Sequence, residues 1–234
     1  MPSQIIDSPA NWRGPDIKAR QDWIHVLSAN EITDIEANVQ ALHDQGLGIA
    51  DIDKRTFPLK TLQPAFAKAL EYLENGPGMF LIRGLPVERH GVEDMRLVYW
   101  VLGQYLGTAV TQSGKGDVLG DVLDLSKFAD GRGRGYQSNR KLDFHTDSCD
   151  VVGLLVMRTA KTGGLSMIAS SVTIHNEIAR TRPDLLEPLY GVFTGYSPGE
   201  RAGGTWTQPI FSQQDGHFSC KTGRVYFELA HEKY

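Results

Sequence analysis

The chain is 234 residues long, with 41% hydrophobic and 22% charged residues, the size and composition of one globular domain or two small ones. A formal net charge of −4 leaves no surplus of Lys and Arg for neutralising phosphates, which argues against nucleic acid as a partner. The local exception, "GRGRG" at 131–135, reads as a solvated glycine loop. Two cysteines with no C-x-x-C spacing make no disulfide framework, the first residues lack an apolar core of the kind that directs secretion, and the longest apolar run, around 151–157, is far short of a bilayer span. A soluble cytoplasmic protein with no membrane partner is the expectation.

In chain order, "SANEITDIEANVQALHDQG" predicts an amphipathic helix. Ser28 is its N-cap, Glu31 follows three residues later, Ile32, Ile35, Val39 and Leu42 recur on one face, and Gly46 stops it. A second helix is predicted from Thr61 to Leu73, ended by Asn75-Gly76-Pro77-Gly78. "MFLIRGL" then reads as a buried strand, and "GVEDMRLVYWVLGQYLG" as a helix carrying Met95, Val98, Leu102 and Tyr105 on one face. Residues 1–107 thus form a mainly helical entry.

From 108 onward short strand-like runs alternate with glycine-rich turns, starting with "VLGDVLDL". A helical insertion at about 170–190 splits in two, since Pro183 suits a first helical turn and disfavours helix in the residue before it. The end of the chain reads as short strands in 191–195, 208–212, 217–220 and 224–229, with hairpin turns at Asp215-Gly216 and Thr222-Gly223. One α+β domain over 1–234 is the simplest organisation.

The chemistry-bearing stretch is "KLDFHTDSCDVVGLLVM" (141–157). On a strand, His145 and Asp147 would share a face, with Phe144 and Thr146 on the other. Imidazole plus carboxylate is two-thirds of the 2-His-1-carboxylate set that binds non-haem Fe(II) and leaves open positions. On the tripeptide alone, half a metal site and a polar strand edge both stand.

The context narrows this choice. After Asp147 come an apolar strand-like run, the Gly163-Gly164 turn, and a second strand expected to start at Leu165-Ser166. Together "FHTD" and "GGLS", with the upstream "GMFLIRGLP", helix and "YLGT", resemble the taurine dioxygenase-like family of Fe(II)/2-oxoglutarate-dependent oxygenases over roughly residues 28–190. The resemblance implies that His145 and Asp147 ligate iron and that the Ser166 hydroxyl contacts 2-oxoglutarate. It further implies a double-stranded β-helix, or jelly roll, with helices outside, which hydroxylates a small molecule and releases succinate and CO2. Gln112, Gln137 and Asn139 lie ahead of the motif and receive no role.

The family pattern also asks for a second histidine on a late strand, shortly after a Gly-Asp turn, and an arginine about ten residues beyond it. After Asp147 the histidines are His175, His217 and His231, and no Gly-Asp dipeptide occurs. His175 sits in the helical insertion and reads as a helix-surface residue; His217 and His231 are weak third-ligand candidates. The expectation is therefore a jelly roll incomplete at its C-terminal end. A competent oxygenase, a non-catalytic binding protein on the same scaffold, a homo-oligomer that closes the core, and a cupin-like enzyme using another metal all remain open at this point.

Overall fold

A computed structural model describes residues 4–112, 116–124, 138, 141–197 and 204–233. The loop 131–135 and the residues Gln137 and Asn139 lie outside that set. The chain divides into two compact units. One comprises Gln4–Ala109 with Val151–Thr181, the other the described residues of Val110–Asp150 and Arg182–Tyr234.

The first unit is built on helices α1 (Gly14–Ala19), α2 (Ala29–Gln45), α3 (Gln63–Glu74), α4 (Val92–Leu106) and α5 (Ser171–Thr181). Strands β1 (Ile24–Val26) and β2 (Leu81–Arg83) pair in parallel beside them. Helix α2 begins as its sequence dictates. Ser28 Oγ accepts from the Glu31 N–H, the Glu31 carboxylate accepts from the Ser28 N–H at 2.7 Å, and Gly46 closes the helix in the left-handed region at φ 65°. Helix α4 packs against α2 and α3. Their apolar stripes meet in one core of Ile35, Val39, Leu42, Phe57, Leu62, Phe66, Met95, Val98 and Val101, all buried. At about 1.5–3 kcal/mol per fully buried large apolar side chain, this cluster is what orders the helices. Asp34 Oδ2 accepts from both the backbone N–H and the hydroxyl of Thr61, joining α2 to the approach of α3. Gly76 permits the exit from α3, because a Cβ there would lie 2.8 Å from the Tyr72 backbone.

The N-terminal stretch is fastened to α5. Asn176, fully buried, accepts from the Ile6 N–H and donates to the Ile6 carbonyl, each at 2.8 Å, while Ser170 Oγ donates to the Ala10 carbonyl. His175 is also buried, within hydrogen-bond reach of Asn176 Oδ1. This corrects the surface reading of His175: the face of α5 that its neighbours cover includes position 175.

The second unit holds helix α6 (Pro183–Tyr190), strands β3 (Phe193–Ser197), β4 (Gly204–Gln208), β5 (Phe211–Gln214) and β6 (His217–Cys220), and helix α7 (Arg224–Lys233). Strands β3 and β4 pair antiparallel, as do β5 and β6. Asp215 (φ 51°) and Gly216 (φ 83°) make the tight turn between the latter, which needs left-handed backbone at both central positions. Helix α7 lies on β3, with Phe227 against Phe193 (centroids 5.7 Å) and Tyr226 against Trp206 (5.6 Å).

Helix α7 replaces the strand expected at 224–229 and the hairpin expected at Thr222-Gly223. Its apolar residues suit a strand by type, but Gly223, Phe227 and Ala230 turn inward at helical spacing, and Arg224 pairs with Glu228 one turn on at 2.6 Å. Residues 118–124, 151–157 and 165–169 are likewise not strands. A strand needs a neighbour for its backbone groups. Leu155 and Met157 instead pack on the helical core, while Val152, Leu154, Val156, Leu165 and Met167 are exposed. The pairings among the described residues are three two-stranded sheets, and the architecture is α+β. No described helix is long and apolar enough to cross a membrane.

Candidate metal half-site and family membership

His145 and Asp147 lie in a segment of the second unit, residues 145–147, that belongs to no helix or strand. The middle residue is tied down. The Thr146 N–H donates to the Thr222 carbonyl at 2.8 Å, and the Thr222 N–H donates back to Thr146 Oγ1 at 2.9 Å.

His145 Nε2 and Asp147 Oδ1 are 4.0 Å apart, with both side chains about half exposed. Even with the imidazole protonated, an exposed pair at that distance would add only about 0–1 kcal/mol, too little for stability to account for the arrangement. The imidazole is oriented from its other side: Nδ1–H donates to the Asp143 carbonyl at 2.7 Å. A carbonyl carries no proton, so Nδ1 is the donor in this bond, which leaves Nε2 as the ring nitrogen available to a metal. With metal–ligand bonds of about 2 Å, atoms this far apart share one ion only from nearly opposite sides, so taking adjacent positions on it requires the two side chains to close by about 1 Å. By donor type, an imidazole nitrogen and a carboxylate oxygen, the two residues match two of the three ligands of a 2-His-1-carboxylate set.

A third ligand is not brought to them among the described residues. Among the described residues no group of three or more His, Cys, Asp or Glu could hold a metal ion. His217 opens β6 beside the hairpin turn and His231 lies in the last turn of α7, both exposed. Ser166 belongs to the other compact unit and is exposed after Gly163 (φ 74°) and Gly164 (φ 67°). Gln112 donates to the Val110 carbonyl. Cys149 and Cys220 form no disulfide, and burial pushes the Cys220 thiol up to about 11. The contact that sequence reasoning missed is Thr222, 76 residues from Thr146.

Residues 39–231 match the family described as taurine catabolism dioxygenase TauD, TfdA family, and the chain belongs to that family. It is 33% identical over 229 residues to the FR-33289 synthase of Streptomyces rubellomurinus, covering 93% of this chain and 67% of that protein. It is 26% identical over 219 residues to the taurine hydroxylase-like protein SAT17 of Stachybotrys chartarum, covering 89% of this chain and 56% of that protein.

Proposed function

We propose that the chain is, or is part of, an Fe(II)- and 2-oxoglutarate-dependent dioxygenase that hydroxylates a small molecule, with release of succinate and CO2. The observation that carries this reading is the His145–Asp147 pair, with its histidine held by Asp143 in the metal-binding tautomer, in a chain of the TauD/TfdA family. His145 Nε2 and an Asp147 carboxylate oxygen would hold the iron. When bound, Fe(II) with 2-oxoglutarate supplies oxidative decarboxylation coupled to insertion of one oxygen atom of O2 into a substrate C–H bond.

The protein's part is to hold the imidazole through Nδ1, leaving Nε2 as the nitrogen offered to a metal, with the Asp147 carboxylate beside it. The exposed Ser166 hydroxyl is assigned a contact to 2-oxoglutarate, on the strength of its place after the Gly163-Gly164 turn. In this reading residues 1–234 belong to one oxygenase-like domain of jelly-roll type with flanking helices, acting in the cytoplasm; family membership supports the fold. The name of one relative, a taurine hydroxylase-like protein, supports hydroxylation as the reaction class.

The test is stoichiometric. With Fe(II), 2-oxoglutarate, O2 and ascorbate as the reductant that takes the second oxygen atom when no substrate is present, the full chain should form succinate and consume O2 in equal amounts, and both should fall by at least about a hundredfold in Asp147→Ala. Equal succinate formation by that variant and the parent chain would refute the assignment.

A further inference from the structure

A metal pair must be held within about 0.5 Å of its working geometry, and long side chains on an irregular segment do not hold themselves. Residues 145–147 have no ladder of their own, and His145 and Asp147 are half exposed. Their order comes from Thr146, whose N–H and Oγ1 both meet the backbone of Thr222, at 2.8 Å and 2.9 Å.

Thr222 is itself fixed from both sides. Immediately before it, the Lys221 N–H donates to the Ile210 carbonyl at 2.8 Å; two residues after it α7 begins, anchored on β3 and β4 by Phe227 and Tyr226. The guanidinium of Arg224 is drawn above the usual arginine range by its bond to Glu228, with a smaller contribution from the charge of Asp143. Asp143 is the residue whose carbonyl orients His145. The β6–α7 junction thus meets the motif segment at its middle residue, Thr146.

We propose that Thr146 and Thr222 are positioning residues: their reciprocal hydrogen bonds clamp the motif segment to the β6–α7 junction, and this clamp fixes the tautomer of His145 and its spacing from Asp147. The use made of that spacing rests on the metal reading above; the clamp does not.

The decisive variant is Thr146→Val, which keeps shape and removes Oγ1, with Thr146→Ser as the conservative rescue. Two readouts are taken on the metal-free full chain: the nitrogen chemical shifts of His145, measured about two pH units above the ordinary imidazole pKa, and the affinity for Co(II) alone. In the parent chain His145 should show one Nδ1-protonated tautomer. In Thr146→Val it should become a mixture, with Co(II) affinity lower by about tenfold or more, an unchanged near-ultraviolet circular dichroism spectrum, and both readouts restored in Thr146→Ser. An unchanged tautomer and an affinity within twofold of the parent would overturn the clamp. A tautomer that responds as expected in a chain that binds no Co(II) would uphold the clamp and overturn the metal reading.

Discussion

Gly195 faces Trp206 directly across the β3–β4 ladder, and a Cβ at position 195 would lie 2.7 Å from the indole. The glycine is there because the ring occupies the space a side chain would need, while Tyr226 of α7 packs edge-on against the same ring. Gly195→Ala should therefore displace the indole from its place against α7 and destabilise the unit by about 1–3 kcal/mol, the usual cost of overpacking. Thermal unfolding of the variant measures this, and a melting temperature equal to the parent's would show that the ladder has slack.

Asn176 should be costly to truncate. Both of its polar groups are spent on the backbone of Ile6, and Asn176→Ala leaves that N–H and that carbonyl to find water or remain unpaired. A loss of about 1–3 kcal/mol is expected. Limited proteolysis should then cleave within the N-terminal stretch well before the rest of the chain; uniform resistance would mean that the stretch is held by other contacts.

The acid limb of stability should carry the Glu31 cap. Burial works to raise this carboxyl, but hydrogen bonds from the Ser28 N–H, the Ser28 hydroxyl and His25 outweigh it and hold the folded pKa below the usual 4.5. A depressed acid contributes stability that is fully present above the unfolded value and disappears as pH falls through the folded one. Glu31→Gln should thus unfold more easily than the parent at neutral pH, by about 1 kcal/mol, with the gap closing in acid below the usual carboxylate range. A gap independent of pH would place the effect in packing instead of charge.

Cys220 should be slow to alkylate. A thiol pushed up to about 11 by burial is almost wholly protonated in mild alkali, and the thiolate is the nucleophile. Site-resolved mass spectrometry after iodoacetamide at about pH 8 should show modification of Cys220 at least about a hundredfold slower in the folded chain than in denaturant. Similar rates would mean that the β6 end opens freely.

What the sequence made legible is mostly local. Ser28 with Glu31, Gly46, Pro183 and Asp215-Gly216 each act through the few residues around them, and each marks an element boundary where its type predicts one. Helix α7 was illegible because Val225, Tyr226 and Phe227 favour strands by type, and only the docking of Phe227 and Tyr226 on β3 and β4 decides for a helix. The runs at 151–157 and 165–169 have strand composition, but pairing is a property of a partner, which no window of sequence contains. His145 and Asp147 could be singled out by spacing and by likeness to the family. Thr222 could not, because its role comes from a contact 76 residues away made by backbone groups that any residue type carries.

The central claim is that His145 and Asp147 hold Fe(II) together with 2-oxoglutarate, and one measurement meets it directly. Fe(II) and 2-oxoglutarate are added without oxygen to the full chain, and the visible metal-to-ligand charge-transfer absorption of the chelate is recorded for the parent, His145→Ala and Asp147→Ala. The account predicts a band in the parent that both substitutions abolish. A band of undiminished strength in either variant, or none from the folded parent chain, would contradict it.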